Sequence, residues 1–275
     1  MTSPDALEAP LDLRATGRIG DIDVGELAAL LDRQPMDDPG VGDAVAALMA
    51  DVRIRGDEAL LEMASRFDGA TLEVVEVPKS DWDRALAGLD LQVRSALERA
   101  ASNIRRFHEA QMPSDVTIEV EPGVRITRTW VALERVGVYA PGGTAAYPSS
   151  VLMGVVPARA ARVDEVIVCS PPGPTGAPPA EVLAACAIAG ADRVFAIGGA
   201  GAVAAMAFGT ESVPAVDAIV GPGNRWVTEA KRQVAGSLVI DSPAGPSEVL
   251  VLTDDTADPV LVAHEMLAQA EHDPD

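Results

Sequence analysis

The sequence predicts an α/β protein in which a mostly parallel sheet is wrapped by helices and preceded by a helical layer. Two observations carry this expectation. From Arg135 onward, short β-branched runs alternate with alanine-rich runs of helical length, the pattern that strand–helix–strand units require. Ahead of that point, apolar residues recur at three- and four-residue spacing, as they do on helices buried along one face.

Helices are expected over 42–52, 58–67 and 81–108. Gly56-Asp57 and Asp68-Gly69 break the first two, and the Pro113 region ends the third. A short β segment follows over 116–130. Sheet strands are then expected at 136–139, 166–169, 194–197, 218–220, 238–240 and 249–252, each a short β-rich run. The domain division this implies is an N-terminal segment over 1–24, a helix-rich domain over 25–138 plus 253–275, and a sheet domain with glycine loops over 139–252.

Three strand ends run directly into glycine: Pro141-Gly142-Gly143, Gly198-Gly199-Ala200-Gly201 and Gly221-Pro222-Gly223-Asn224. In parallel sheets the loops at the carboxyl ends of the strands form the ligand crevice, and glycine lets backbone amides approach an anionic group. A dinucleotide or other phosphate-bearing ligand fits that pattern, and so does ordinary strand-to-helix turn chemistry. Residues 199–204 match the Gly-x-Gly-x-x-Ala form of the dinucleotide fingerprint, with Glu211 and Asp217 in range for a ribose-binding acid. In a chain with 24 glycines such a match also arises by chance.

Charge narrows the partners. With 42 acidic against 21 basic residues, the net charge of −21 argues against nucleic acid and anionic membranes, which need a basic footprint. The acidity serves solubility, or raises the local concentration of a cationic small substrate. Only Lys79 and Lys231 are lysines, an imbalance read as coding bias. Cys169 in a strand and Cys186 in a helix read as small buried apolar residues in a reducing compartment. The N-terminus lacks a basic segment followed by an apolar one, so a cytoplasmic protein is expected.

Near the C-terminus, Gln269 and His272 are three apart on a predicted helix and share a face, with Glu265 one turn earlier. An imidazole beside amide and carboxylate oxygens suits zinc or a similar ion, yet one helix leaves the coordination shell open. The same residues equally make an exposed helix end, with His272 placed favourably against the helix dipole. His264 sits in an apolar run and His108 on a solvated helix; neither reads as a ligand.

The motifs, taken in order, go further than spacing. Residues Val138-Tyr139-Ala140-Pro141-Gly142-Gly143, Tyr147-Pro148-Ser149-Ser150-Val151-Leu152-Met153, Gly221-Pro222-Gly223-Asn224 and Glu229-Ala230-Lys231-Arg232-Gln233-Val234 together resemble the histidinol dehydrogenase family. The resemblance continues through Ile240-Asp241, Ala244-Gly245-Pro246-Ser247-Glu248-Val249-Leu250-Val251 and Gln269-Ala270-Glu271-His272-Asp273. It extends back through Arg55-Gly56-Asp57-Glu58-Ala59-Leu60 and Arg66-Phe67-Asp68-Gly69, from about residue 11 onward.

The resemblance implies a Rossmann-like α/β fold and oxidation of L-histidinol to L-histidine through an aldehyde by two NAD-dependent steps. Zinc would hold the substrate without redox chemistry. It implies Gln269 and His272 as zinc ligands that also touch substrate, Ser247 as a substrate contact, and Tyr139 and Asn224 as NAD contacts. At Gly201 the family usually has glutamine, another NAD contact, so the apparent fingerprint arises from a substitution. Replacing Gly201 by glutamine is therefore expected to tighten NAD binding.

In the family about a third of the chain follows this region, with a Glu-His acid/base pair, further zinc ligands and segments that interlock a homodimer. The resemblance thus predicts that the natural chain continues and that the catalytic pair lies beyond residue 275. A helix face near His272 that packs against later segments would leave an apolar patch on the chain. Two other readings remain: a paralogue that oxidises another small alcohol, and an inactive fragment that only binds a ligand or partner.

Overall fold

Helix α1 (Pro39–Arg55) and helix α2 (Asp57–Phe67) lie where the periodicity puts them, with Gly56 between. The third expected helix is two: α3 (Lys79–Gly88) and α4 (Leu91–Glu109). The break is local chemistry. The Asp90 carboxylate accepts from the backbone N–H groups of Gln92 and Val93 at 2.8 and 3.2 Å, satisfying donors that open a new helix. The computed structural model describes residues 22–25, 39–142, 146–242 and 249–270. Residues 39–275 form one compact unit and residues 1–38 another; in the latter, Gly25 N–H donates to the Asp23 carboxylate at 2.7 Å.

The expected β segment is an antiparallel hairpin, β1 (Val116–Glu121) and β2 (Val124–Arg128), turned at Pro122-Gly123. Every residue of both strands is exposed.

Five strands then form one parallel sheet: β3 (Arg135–Tyr139), β4 (Glu165–Ser170), β5 (Arg193–Ala196), β6 (Ala218–Val220) and β7 (Val239–Ile240). Their spatial order is β5-β4-β3-β6-β7. Helices α5 (Pro148–Ala160), α6 (Ala180–Ala189), α7 (Gly199–Phe208) and α8 (Arg225–Val234) make the crossovers. The expected boundary between residues 138 and 139 falls inside β3, which pairs as one strand from Arg135.

Both faces of the sheet are covered, so its strands read as continuous apolar runs with the two-residue alternation split between two cores. Ile167 and Cys169 of β4 join Val45, Val52, Leu60, Val203 and Val227 from α1, α2, α7 and α8. Val166 and Val168 of the same strand join Trp82, Ala101, Leu152 and Leu183 from α3 to α6. The helical layer therefore packs directly on the sheet. Trp82 is 2% exposed and its indole N–H donates to the Val77 carbonyl at 3.2 Å, which removes the cost of burying it.

The β5 edge is covered by residues 75–77: Val77 N–H donates to the Val194 carbonyl and Ala196 N–H to the Val75 carbonyl, both at 2.8 Å. Covering an edge in this way removes a template for unwanted pairing.

One strand expectation fails. Residues 249–252 are apolar and β-branched yet form no strand, and no strand among the described residues pairs with them. The chain then enters α9 (Pro259–Ala270), which has no buried residue. Among the described residues no helix is long and apolar enough to cross a membrane.

Candidate functional site

The strand order fixes where a ligand can sit. The chain starts at β3, winds outward through β4 and β5, then returns to the other side of β3 for β6 and β7. Beyond the carboxyl ends of β3 and β6 the connections diverge to opposite sides, the position where sheets of this type form a ligand crevice. Two glycine loops flank it, the one entered by Pro141-Gly142 after β3 and 221–224 after β6. The fingerprint-like run at 199–204 follows β5 instead, at the sheet edge. A dinucleotide fingerprint belongs after the first strand, so this match lies in the wrong turn.

Tyr139 ties the three loops together. Its hydroxyl accepts from the Gly199 N–H at 3.2 Å, joining the end of β3 to the start of α7. Its backbone carbonyl lies against Gly221, where an added Cβ would fall 2.1 Å from the Tyr139 oxygen. Gly221 also has φ +118°, which L side chains rarely adopt, so only glycine closes this contact.

The Tyr139 ring is 3% exposed. Burial pushes its hydroxyl up to about 12, against the opposing effect of the Gly199 N–H, and the nearby Asp68 adds to the rise. Tyr139 is therefore a neutral hydroxyl at physiological pH. Asp68 itself, at the end of α2, is raised by desolvation.

Asn224 stands at the other lip. Its side-chain oxygen accepts from the N–H groups of Trp226 and Val227 at 3.1 and 3.2 Å, capping α8. With the oxygen used in the cap, the exposed amide NH2 is the group left to donate to a ligand.

Gly201 lies in the first turn of α7 and is buried. A Cβ there would meet the Met63 sulfur at 3.0 Å and Leu60 at 3.5 Å, so α2 packs against the space a larger residue would take. Cys169 and Cys186 are fully buried, and burial pushes both thiols well above their ordinary range. They are packing residues, not nucleophiles.

The structure brings Tyr139, Gly201 and Asn224 to the strand ends. Gln269 is on α9 beside exposed Glu265, while Ser247, His272 and Gly143 lie outside the described residues. Among the described residues no group of three or more His, Cys, Asp or Glu could hold a metal. His264 is exposed on α9, and His108 packs edge-on against Phe107 on α4.

Sequence reasoning took no role for Lys231 or Asp241 from the motifs that contain them. The Lys231 ammonium, 1% exposed, pairs with the Asp241 carboxylate directly beneath the Gly221 turn. A signal was available: in an arginine-dominated chain, one of only two lysines is placed where an ammonium must be compact.

Comparison with known proteins bears on the family and the fold. The family model for histidinol dehydrogenase matches residues 31–275. A histidinol dehydrogenase of Methanosarcina barkeri is 48% identical over 259 residues, 94% of this chain and 59% of the relative. One from Natronomonas pharaonis is 52% identical over 93% of this chain and 60% of its own length. The chain thus spans about three-fifths of the length of these curated relatives. The crystal structure of histidinol dehydrogenase from Elizabethkingia anophelis superposes with a TM-score of 0.82 at 36% identity, covering 91% of this chain and 58% of that one. Fold, ordered motifs and relatives converge, and the chain belongs to the histidinol dehydrogenase family.

Proposed function

We propose that this chain carries the nucleotide-binding part of an NAD-dependent oxidation of L-histidinol to L-histidine, the closing steps of histidine biosynthesis. The observation that supports this most is the crevice at the β3/β6 reversal, where Gly221 closes against Tyr139 and leaves Asn224 exposed at the lip. A cofactor with a pyrophosphate suits it, because the turn brings backbone close and a helix begins there.

In this reading Tyr139 and Asn224 hold NAD, which when bound accepts a hydride from the carbinol carbon. Tyr139 supplies a neutral hydroxyl and fixes Gly199, while the Asn224 amide donates from the start of α8. Ser247, Gln269 and His272 contact substrate. Gln269 and His272 would also supply two ligands to zinc, whose tetrahedral shell needs further donors.

Proton removal from the alcohol needs a base within hydrogen-bond reach. His108 packs against Phe107 on α4 and His264 is exposed on α9, and neither stands in a motif that would give it that role. Binding and turnover are therefore separate tests. We read the protein as a cytoplasmic homodimer without nucleic-acid or membrane partners, a reading supported by the net charge of −21 and by the exposed hairpin.

Calorimetric titration of NAD tests the cofactor assignment, and NADH formation with L-histidinol, NAD and zinc tests the reaction. Saturable binding by the chain, abolished or weakened in Asn224→Ala, is the expected result. Absence of NAD binding overturns the cofactor reading. NADH formed faster from another small alcohol than from histidinol overturns the substrate.

A further inference from the structure

We infer that the buried Lys231 ammonium and its partner Asp241, whose side chain stays 35% exposed, form a positioning device that holds the nucleotide loop by gripping one residue, Gly221, at both of its backbone polar groups. The Gly221 N–H donates to Asp241 Oδ2 at 2.8 Å, and the Gly221 carbonyl accepts from Lys231 Nζ at 3.0 Å. The lysine also pairs with Asp241 Oδ1 and donates to the Ser242 carbonyl at 2.6 Å. One ammonium thus joins the end of β6, the middle of α8 and the segment leaving β7.

The location gives this arrangement its meaning. Gly221 is the residue with φ +118° whose Cα lies against the Tyr139 carbonyl, so its backbone sets the distance between the β3 and β6 ends. Asn224, three residues on, starts the helix that carries Lys231. The pair therefore fixes both lips of the crevice relative to each other, although neither side chain needs to touch a ligand.

Stability does not require this solution. Burying the Lys231 ammonium gains little over an apolar side chain of similar volume, because its loss of water offsets the attraction to the partly exposed Asp241. The ammonium, 1% exposed, satisfies its three donors with three separate acceptors. Apolar side chains could fill the space but could not hold the Gly221 N–H and carbonyl in place. That difference separates a positioning role from a packing role.

The inference rests on the nucleotide reading above, and the experiment distinguishes the two. NAD is titrated calorimetrically into the unaltered chain, into the double variant Lys231→Met/Asp241→Leu and into Asp241→Asn, with urea denaturation of each. The double variant is expected to stay as stable as the unaltered chain or to gain stability, yet to bind NAD about tenfold or more weakly. Asp241→Asn keeps the shape and an acceptor for Gly221 N–H while weakening the hold on Lys231. It is expected to lose about threefold, and it serves if the double variant does not fold.

An affinity unchanged in either folded variant overturns the inference while leaving the nucleotide reading intact. A loss of affinity that only tracks a loss of stability overturns it as well, since that is what packing alone would give. If the unaltered chain does not bind NAD, the nucleotide reading and this inference fall together.

Discussion

The parallel sheet and the hairpin are built from similar residues and end in opposite environments. β4 carries Val166, Ile167 and Val168, all at 0% exposure, whereas β1 and β2 carry Val116, Ile118, Val120, Val124 and Ile126 at 47% exposure or more. Helix α9 repeats the contrast: Leu261, Met266 and Leu267 are all more than half exposed, while α7 is buried along nearly its whole length. Apolar periodicity therefore decides which element forms, and the neighbours decide whether its apolar face is used. In the sheet the inner strands β3 and β4 have helices on both sides; the hairpin and α9 have no comparable cover among the described residues.

The largest test of that contrast is a pair of truncations. Phe195→Ala in β5 should cost about 3–5 kcal/mol by urea denaturation, from lost burial and the cavity left behind. Ile126→Ser in the hairpin, at 57% exposure, should change stability by no more than about 0.5 kcal/mol. Equal costs would break the comparison and mean that the hairpin is covered in solution. A hydrophobic dye that binds the chain, and binds less to Leu261→Ser/Leu267→Ser, would sharpen it.

The second test uses pH. Burial keeps the proton on native Tyr139 to about 12, whereas the unfolded chain releases it near the ordinary value of 10.0. Between these values the unfolded state binds fewer protons, so stability falls as pH rises; below the lower value the contribution is fully present. The expected slope is about 1.4 kcal/mol per pH unit in that window. Stability curves for the unaltered chain and Tyr139→Phe should differ by this slope, and parallel curves would mean the ring is less buried than described.

A smaller effect concerns Ser170, fully buried at the end of β4, whose hydroxyl has no partner among the described residues. Ser170→Ala should stabilise by about 1 kcal/mol in thermal or urea unfolding, because an unmet buried hydroxyl costs that order. A destabilised variant would show that the hydroxyl is satisfied in solution. The smallest is at Gly201. One added side-chain hydrogen bond of about 0.5–1.5 kcal/mol corresponds to a gain of roughly 2- to 13-fold in NAD affinity. With the Met63 sulfur 3.0 Å from the added Cβ, Gly201→Gln should deliver less than this, and Gly201→Gln/Met63→Ala should deliver more.

Sequence alone carried the fold class and the places of the five sheet strands along the chain, because those depend on local periodicity and on glycine at strand ends; Tyr139 and Asn224 came from the family resemblance instead. It missed the break at Asp90, since Leu89 and Leu91 continue the apolar spacing while one carboxylate starts a new helix. It made a strand of 249–252, where β-rich composition is present and pairing is not. The apparent fingerprint at 199–204 was legible as a pattern after the third expected strand, but only the spatial order showed that this strand lies at the sheet edge, away from the β3/β6 reversal. Lys231 and Asp241 were visible as parts of two motifs. Their joint hold on Gly221 depends on a turn between β6 and α8 that neither segment encodes by itself.

The winding of the sheet also bears on how the chain is made. β3 gains β4 within about 30 residues, but its other edge meets β6 only after a separation of 82, as in the Arg135–Asp217 hydrogen bond. At a synthesis rate of about 5–20 residues per second, that edge of β3 waits about 4–16 s for its partner. During this interval a nascent chain displays an open strand edge at the place where its nucleotide crevice later closes, which makes it a natural point of attachment for a chaperone and of mispairing between neighbouring ribosomes.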